Sequence, residues 1–464
     1  VHAKIPALKT LHFFQTADAS AMPSLLPILT SYLRTRWLEQ RFHTRADLED
    51  WQEGQVQRFL TAILPMSPFY ASAYGERPIA GWRSWPLMDK TQMMENFDRL
   101  NTLGVTKAAA LAVAQAGEAS RNFGPMVGDV TVGLSSGTSG NRGLFIAATA
   151  ERLRWSGAVM AKVLPGPLWQ RQRVGLFLRA NSNLYASVQS RRITFAFYDL
   201  LRPLEEHIRR LNQYQPTILA GPPLMLLLLA RAQQSGALTI RPIKIYSVAE
   251  TLDPLDERTL AGAFDQRIHQ IYQCTEGFLA STCSHGVLHL HEEFVAFQPE
   301  WLDEAAGKFV PILTDFSRTS QPIIRYRLND ILTLRRSPCP CGRVTQALEQ
   351  IEGRCDDLFY FAPRSPTAQL IPVFPDFMRK LVIDHAPAVE EYRIRQLEVE
   401  QVEVALRVAP DAQQASELAV RTALLELCRR IEATPPHLAF VPLPPLAAGP
   451  RKLKRVEQCG RGAR

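Results

Sequence analysis

Hydrophobic and polar positions change their period twice along this chain. Through the first hundred residues apolar side chains stand among charged ones in helical fashion, with Leu33, Trp37 and Phe42 first and Trp51 to Ile63 continuing the pattern. From about Val130 the texture becomes short β-rich runs alternating with helical segments. Leu204, Ile208 and Leu211 fall at i, i+4 and i+7, which gives one helix an apolar face. Pro216 ends that helix, Thr217 to Ala220 read as a strand, and Pro222 opens the next helix. A strand over Ile243 to Val248, a helix over Leu255 to Phe264 and a strand over Ile268 to Tyr272 continue the alternation. Repetition at this spacing predicts an α/β fold, a mostly parallel sheet covered by helices.

Beyond Asp357 the period shifts again. Val402, Val404, Leu406 and Val408 alternate as a half-buried strand requires. Leu424, Leu427, Cys428 and Ile431 mark a helix face that ends before Pro435-Pro436, and Leu438 to Val441 form the last expected strand. The chain therefore divides into a large N-terminal domain, residues 1–355, and a small C-terminal α+β domain, residues 356–464, with a hinge between them.

Composition narrows the class. Of 464 residues, 46% are hydrophobic and 21% charged, enough for a sizeable core and typical of globular chains. The longest nearly apolar run, Ile218 to Ala230, contains Gly221, Pro222 and Pro223 and is too short to span a bilayer. No charged region followed by an apolar stretch and a small-residue cleavage site is visible, so a cytoplasmic location is expected. The net charge is +8, but Arg451 to Arg464 carry six basic residues and one acidic one, hence +5 of it. With the rest nearly balanced, no nucleic-acid surface is expected. Seven cysteines without an export signal do not suggest a disulfide framework.

The chemistry concentrates in a few segments. Ser135 to Gly140 (Ser-Ser-Gly-Thr-Ser-Gly) are all small, hydroxylated or glycine. Such a loop wraps phosphate, because glycine permits positive φ and lets N–H groups converge on oxygens. The alternative is a surface turn. It is not a Walker A loop, since no Gly-Lys-Ser/Thr follows at the required spacing. Downstream lie Ile271-Tyr-Gln-Cys-Thr-Glu276, Gln321-Pro-Ile-Ile-Arg-Tyr-Arg-Leu-Asn-Asp330, Gly353-Arg-Cys-Asp-Asp357 and Pro450-Arg-Lys-Leu-Lys-Arg-Val456. In order and spacing this set resembles the adenylate-forming superfamily, and within it the phenylacetate–CoA ligase and coenzyme F synthetase-like branch. The resemblance covers roughly Val130 to Val456; the N-terminal helices carry none of it.

The resemblance implies a role for each matched residue. Ser135, Ser136, Gly137, Thr138, Ser139 and Gly140 match the loop that holds the β- and γ-phosphates of ATP, although Asn141-Arg142-Gly143 replaces the usual Pro and Lys. Ala249 and Glu250, in Ser247-Val-Ala-Glu250, match the adenine wall. Tyr272 is expected to stack on adenine, Thr275 to contact the α-phosphate and Glu276 to hold Mg²⁺. Asp330 is expected to accept hydrogen bonds from the ribose hydroxyls, with Arg354 adding a ribose or phosphate contact. Asp356 stands at the family's hinge. Lys452 aligns with the lysine that enters the closed site during adenylation, with Lys454 as competitor; the other reading of both is a solvated basic tail.

Cys283, His289, Cys339 and Cys341 suit a closed tetrahedral Zn²⁺ site of Cys₃His type, with His285 and His291 as rival ligands and Cys274 not far off in sequence. Buried thiols in a proline-rich turn are the alternative. The expected activity is ATP-dependent activation of an apolar or aromatic carboxylic acid, with Phe177, Asn183 and Tyr185 facing Ala220, Gly221 and Pro222 across its pocket. The acceptor is expected to be a thiol, CoA or a carrier protein. Phe359-Tyr-Phe-Ala-Pro-Arg364 brings no glycine to the place where thioester-forming relatives have one. That keeps an amine acceptor, nucleotidyl transfer to another acceptor and a non-catalytic nucleotide-binding regulator open.

Overall fold

Strands and helices alternate from Ile193 to Cys274, and the parallel half of the main sheet is built from that alternation. The computed structural model describes residues 26–135, 142–179, 190, 192–365, 369–446 and 452–460. Ser136, Gly137, Thr138, Ser139 and Gly140 of the phosphate loop, and Asn183 and Tyr185, lie outside them. A hairpin comes first, β1 (Val130–Leu134) against β2 (Leu144–Ala148). Then follow β3 (Gln172–Leu178), β4 (Ile193–Asp199), β5 (Ile218–Gly221), β6 (Lys244–Val248) and β7 (Ile268–Cys274). These five run parallel in the order β4-β3-β5-β6-β7. The helices Leu204–Tyr214, Pro223–Gln234 and Pro254–Phe264 stand between successive strands from β4 to β7.

The sheet then continues with antiparallel strands, which the sequence reading did not separate from the parallel ones. They are β8 (Gly277–Thr282), β9 (Leu288–Leu290), β10 (Val295–Asp303), β11 (Lys308–Asp315), β12 (Ile323–Arg327), β13 (Asp330–Leu334) and β14 (Ala347–Arg354). Short connections fold β7 to β9 and β10 to β12 back on themselves as antiparallel neighbours, while β14 returns across the sheet to pair with β9. The N-terminal helices close this half, burying Val56, Leu60, Tyr70, Trp82 and Phe97 against Leu279, Leu290, Phe309 and Ile324. A capping box starts helix Arg45–Ile63, with the Thr44 hydroxyl accepting from Asp47 N and Asp47 accepting from Thr44 N.

The turn Cys355–Asp357 leads out of β14 into a unit with its own core. After the small pair β15 (Phe359–Phe361) and β16 (Ile371–Val373) come β17 (Glu391–Glu398), β18 (Gln401–Arg407), β19 (His437–Phe440) and β20 (Val456–Gln458). The last four form one sheet in the order β19-β18-β17-β20. Val402, Val404 and Leu406 face inward, as their alternation requires, against Val420, Leu424, Leu427 and Cys428 of helix Gln413–Arg430. Residues 452–460 of the basic tail are no solvated run: β20 pairs parallel with β17, Ile394 opposite Val456. Charged and polar side chains around a three-residue strand hid it from the pattern. No helix among the described residues is long and apolar enough to cross a membrane.

Candidate active site

In an open parallel sheet the strands' carboxyl ends form the natural binding crevice. Here β6 ends in Ser247-Val-Ala-Glu250 and β7 in Tyr272 to Glu276, side by side. A cavity of about 1750 Å³ lies over these ends and is bounded by the hairpin neck at Ser135 and Arg142, the β12–β13 connection and residues 452–457 of the C-terminal tail. Ser135, Ala249, Glu250, Tyr272, Thr275, Glu276, Asp330, Arg354, Lys452, Ala220 and Pro222 all line it.

Hydroxyls and carboxylates interlock at its centre. Tyr272 donates its phenol to Asp330 Oδ2 at 2.5 Å, and Arg354 Nε lies 3.7 Å from Asp330 Oδ1. Tyr326 donates to Glu276 Oε1 at 3.0 Å and Thr275 to Glu276 Oε2 at 2.8 Å. Burial raises the Asp330 carboxyl above the ordinary aspartate value, with the Tyr272 hydrogen bond and Arg354 opposing. Arg318 fixes the end of β7 by donating to the Thr275 carbonyl at 2.6 Å.

Beside it, at the end of β6, Ala249 has φ +67°, a left-handed backbone that costs a residue with a Cβ some strain. Its carbonyl accepts from Lys452 Nζ at 2.9 Å. Burial raises Glu250 to about 7, against the lowering effects of Lys452 and the Leu453 N–H. Burial lowers the Lys452 ammonium, with Glu250 opposing. Lys454 lines the same cavity but bonds Asp357 Oδ1 at 2.7 Å, so the two lysines of the tail have separate partners. Asp356 does not line the cavity; it accepts from Asn329 Nδ2 at 2.7 Å in the turn between the two sheets.

At the hairpin neck Ser135 N donates to Gly143 O and Gly143 N to Ser135 Oγ, each at 2.7 Å. Arg142 is held by Glu118 and by the Ser135 carbonyl. The cation beside the neck is Lys90, which the sequence reading missed. A Cβ on Gly143 would lie 3.3 Å from Lys90 Cε, and Lys90 lines the same cavity. Burial lowers its ammonium while Glu276 raises it. The signal in the chain was Asp89-Lys-Thr-Gln92, a capping box that starts helix Lys90–Glu95 and sets Lys90 at its first position.

An apolar lobe extends from this centre along the sheet. Val174, Leu176, Leu178, Phe195, Ile218, Ala220 and the ring of Tyr246 line it, faced by Trp155, Ala158 and Val159 of helix Thr149–Val163. The Tyr246 hydroxyl donates to Val163 O at 2.7 Å. Phe177 and Gly221, expected in this wall, are not there. Successive strand residues point to opposite faces, so Phe177 is fully buried behind the sheet, stacked 4.7 Å from Tyr198, and Gly221 lies against it.

Away from the cavity, Cys283, His289, Cys339 and Cys341 bring their ligand atoms within 4.8 Å of one another. Cys283 Sγ lies 3.6 Å from Cys339 Sγ, and Cys341 Sγ 3.3 Å from His289 Nε2. Zinc–sulfur bonds of ~2.3 Å and zinc–nitrogen bonds of ~2.0 Å imply tetrahedral edges of roughly 3.5–3.8 Å, so the quartet is close to the required spacing. His289 Nδ1 faces the Thr345 carbonyl and hydroxyl, which turns Nε2 inward. Burial, aided by Arg343, lowers His289 to about 4, so its ring is neutral at pH 7. The rival His291 has both nitrogens engaged, by Ser281 Oγ and Phe278 O; Cys274 lines the large cavity, and His285 is not in the quartet.

Among solved structures the chain is similar to 2-hydroxyisobutyryl-CoA ligase in the postadenylation state in complex with R3-HIB-AMP. The TM-score is 0.66 at 16% identity, over 96% of this chain and 95% of that one. The fold is that of the adenylate-forming ligases. The same ligase in its thioesterification state, at the same coverage and identity, superposes with a TM-score of 0.54. The acyl acid amido synthetase GH3.15 shares the adenylate-forming fold at TM-score 0.55 and 12% identity, over 92% of this chain and 90% of its own. Among curated sequences, Protein CapK of Staphylococcus aureus is 26% identical over 159 residues, 33% of this chain. That match spans 35% of CapK's length. No family model matches the chain.

Proposed function

We propose that this protein is an adenylate-forming ligase that activates an apolar or aromatic carboxylic acid with ATP. The observation that carries the reading is the meeting, in one cavity, of the tail lysine Lys452 with Tyr272, Glu276 and Asp330, next to an apolar lobe. An oxygen of the acid attacks the α-phosphorus of ATP, the bond from that phosphorus to the bridging oxygen of the β-phosphate breaks, and pyrophosphate leaves. The acceptor then attacks the acyl carbon and AMP departs.

The residues divide this work. The Ser135 to Gly140 loop and Lys90 hold the β- and γ-phosphates, Lys90 taking the place of the lysine that Asn141-Arg142-Gly143 lacks. Ala249, Glu250 and Tyr272 border the adenine, Asp330 and Arg354 the ribose, and Thr275 the α-phosphate. Glu276, a buried carboxylate on the cavity wall, suits Mg²⁺, which when bound offsets charge on the phosphate oxygens. Lys452 places a positive charge where negative charge develops as the carboxylate attacks. Residues 1–355 and 356–464 act as two domains that rearrange about Asp356, so one small domain serves both half-reactions. Higher superposition on the postadenylation than on the thioesterification arrangement supports reading the present state as resembling the former. Zn²⁺ fits the Cys₃His quartet as a closed structural site, whose four protein ligands leave no position for water.

A thiol, CoA or a carrier protein, is the acceptor we favour; an amine is the second reading, on the amido synthetase likeness. ATP–pyrophosphate exchange across a panel of carboxylic acids tests the activation step. Exchange that needs both acid and Mg²⁺ is expected. Folded protein that binds ATP and shows neither exchange nor acyl-hydroxamate with hydroxylamine would be a nucleotide-binding regulator. Exchange without any acid would mean nucleotidyl transfer to another acceptor, and product mass separates thioester from amide.

A further inference from the structure

The N-terminal helix Leu26–Arg41 reaches the cavity although no nucleotide-binding segment lies near it in sequence. Ser31, Arg34 and Thr35, at i, i+3 and i+4, form its cavity-facing stripe, and one turn further on that stripe ends at Glu39. The facing helix Thr149–Val163 repeats the arrangement: Trp155, Ala158 and Val159 line the cavity and the stripe ends at Lys162. The two helices cross in backbone contact at Gly157, where an added Cβ would collide with the Ile28 carbonyl and approach Ser31 Cβ to 2.8 Å. Ser31 Oγ donates to Arg154 O at 2.6 Å beside the crossing.

Beyond the crossing the pair is fixed by a buried ion cluster. Lys162 Nζ lies 3.1 Å from Glu39 Oε1 and also bonds Glu293, while Arg343 Nη2 lies 2.8 Å from the same Glu39 oxygen. Lys162, Glu39 and Glu293 side chains are 3%, 5% and 3% exposed. Charges buried this deeply hold position only as a complete set. Arg343 stands two residues past Cys341, so the same turn supplies two of the quartet's thiols and one of the cluster's cations.

We propose that the N-terminal helix is a specificity element for the carboxylic acid: Thr35 and its stripe bound the far end of the apolar lobe, and Glu39 is the positioning residue that fixes that wall. The inference rests on the acid-activating reading above. It adds to the strand residues of the lobe a wall from a segment outside the stretch whose sequence motifs resemble the family.

Pyrophosphate exchange on straight-chain acids of increasing length and on substituted benzoates tests it. Thr35→Leu is expected to disfavour the largest acids relative to the smallest by about ten-fold in kcat/KM, as a methylene or two in an apolar pocket does. Thr35→Ala shifts the ranking the other way and remains informative if the larger side chain prevents folding. Glu39→Gln is expected to raise KM for the acid about ten-fold with KM for ATP unchanged, a split that general destabilisation does not produce. Wild-type exchange with the ranking unchanged in the folded Thr35 variants, or with both KM values moving together in Glu39→Gln, overturns the inference alone. No exchange by wild type with any acid overturns the activating reading and this inference with it.

Discussion

Lys452 shows how much depends on one side chain's surroundings. Its ammonium reaches a backbone carbonyl across the cavity, with Glu250 and Asp330 as neighbouring acids and Arg354 and Lys454 as neighbouring cations. If that charge stabilises the developing oxyanion, Lys452→Ala should slow acyl-adenylate formation by about 10²–10³-fold, the usual effect of removing one such group. Consumption of a pre-made acyl-adenylate should change little. The reacting form is the charged one, and burial lowers its pKa, so adenylation is lost as pH rises through a value below that of a free lysine. Lys452→Arg, charged at all accessible pH, should remove that alkaline limb even if it lowers the rate. A single-turnover pH profile of the three proteins checks this. Loss of adenylation in Lys454→Ala but not in Lys452→Ala would reverse the assignment, against the engagement of Lys454 by Asp357.

At the scale of elements, the Cys339–Arg343 turn joins three pieces of structure that share no secondary structure. Through its thiols it meets β9 and the loop before it, through Arg343 the N-terminal helix, and Thr345 just beyond it orients His289. A closed Zn²⁺ site would hold this junction. Protein purified without chelator or nickel resin should contain about one zinc per chain, and the double variant Cys339→Ser, Cys341→Ser should lose the metal and melt at lower temperature. Elemental analysis decides the first point and calorimetry the second. A metal content near zero in stable protein would return these side chains to the role of buried thiols.

At the scale of the molecule, the small unit is held by a ring of buried ion pairs. Arg455, from the residues just before β20, pairs with Asp256 at 2.6 Å and Glu391 at 3.3 Å; Arg379 meets Asp253 and Glu352; Tyr392 donates to Asp253 at 2.6 Å. Arg455 stays charged, its neighbouring carboxylates outweighing burial. Such a ring sets one arrangement well, since each partner left alone would be a buried charge. Removing one member of a buried pair costs about 3–5 kcal/mol, so Arg455→Ala should free the small unit, withdraw Lys452 and lower adenylation more than transfer from a pre-made adenylate. Asp356→Pro should instead restrict the turn and impair whichever half-reaction needs the other arrangement. Small-angle scattering with and without an acyl-sulfamoyl adenosine reads the arrangement. Identical scattering and an unchanged ratio of half-reactions in Arg455→Ala would remove the ring from the account.

Local pattern determined a good part of this protein. The helices between Leu26 and Leu100, the strand–helix alternation around β5 to β7 and the inward face Val402, Val404 and Leu406 follow from periodicity, because burial on one face is a property of neighbouring residues. The polar ends of β6 and β7 were legible because each is short and contiguous, and the Cys/His set because such residue types are few. Only the tertiary structure decided the rest. Which face of β3 meets the cavity depends on what covers each side, and that put Leu176 rather than Phe177 in the wall. His289 rather than His291 completes the quartet because the Ser281 hydroxyl and the Phe278 carbonyl engage both nitrogens of His291. Lys90, Tyr326, Thr35 and the Glu39–Lys162–Glu293–Arg343 cluster reach their partners across scores to hundreds of residues, and no local rule encodes a contact between segments whose meeting is set by the packing of the whole chain.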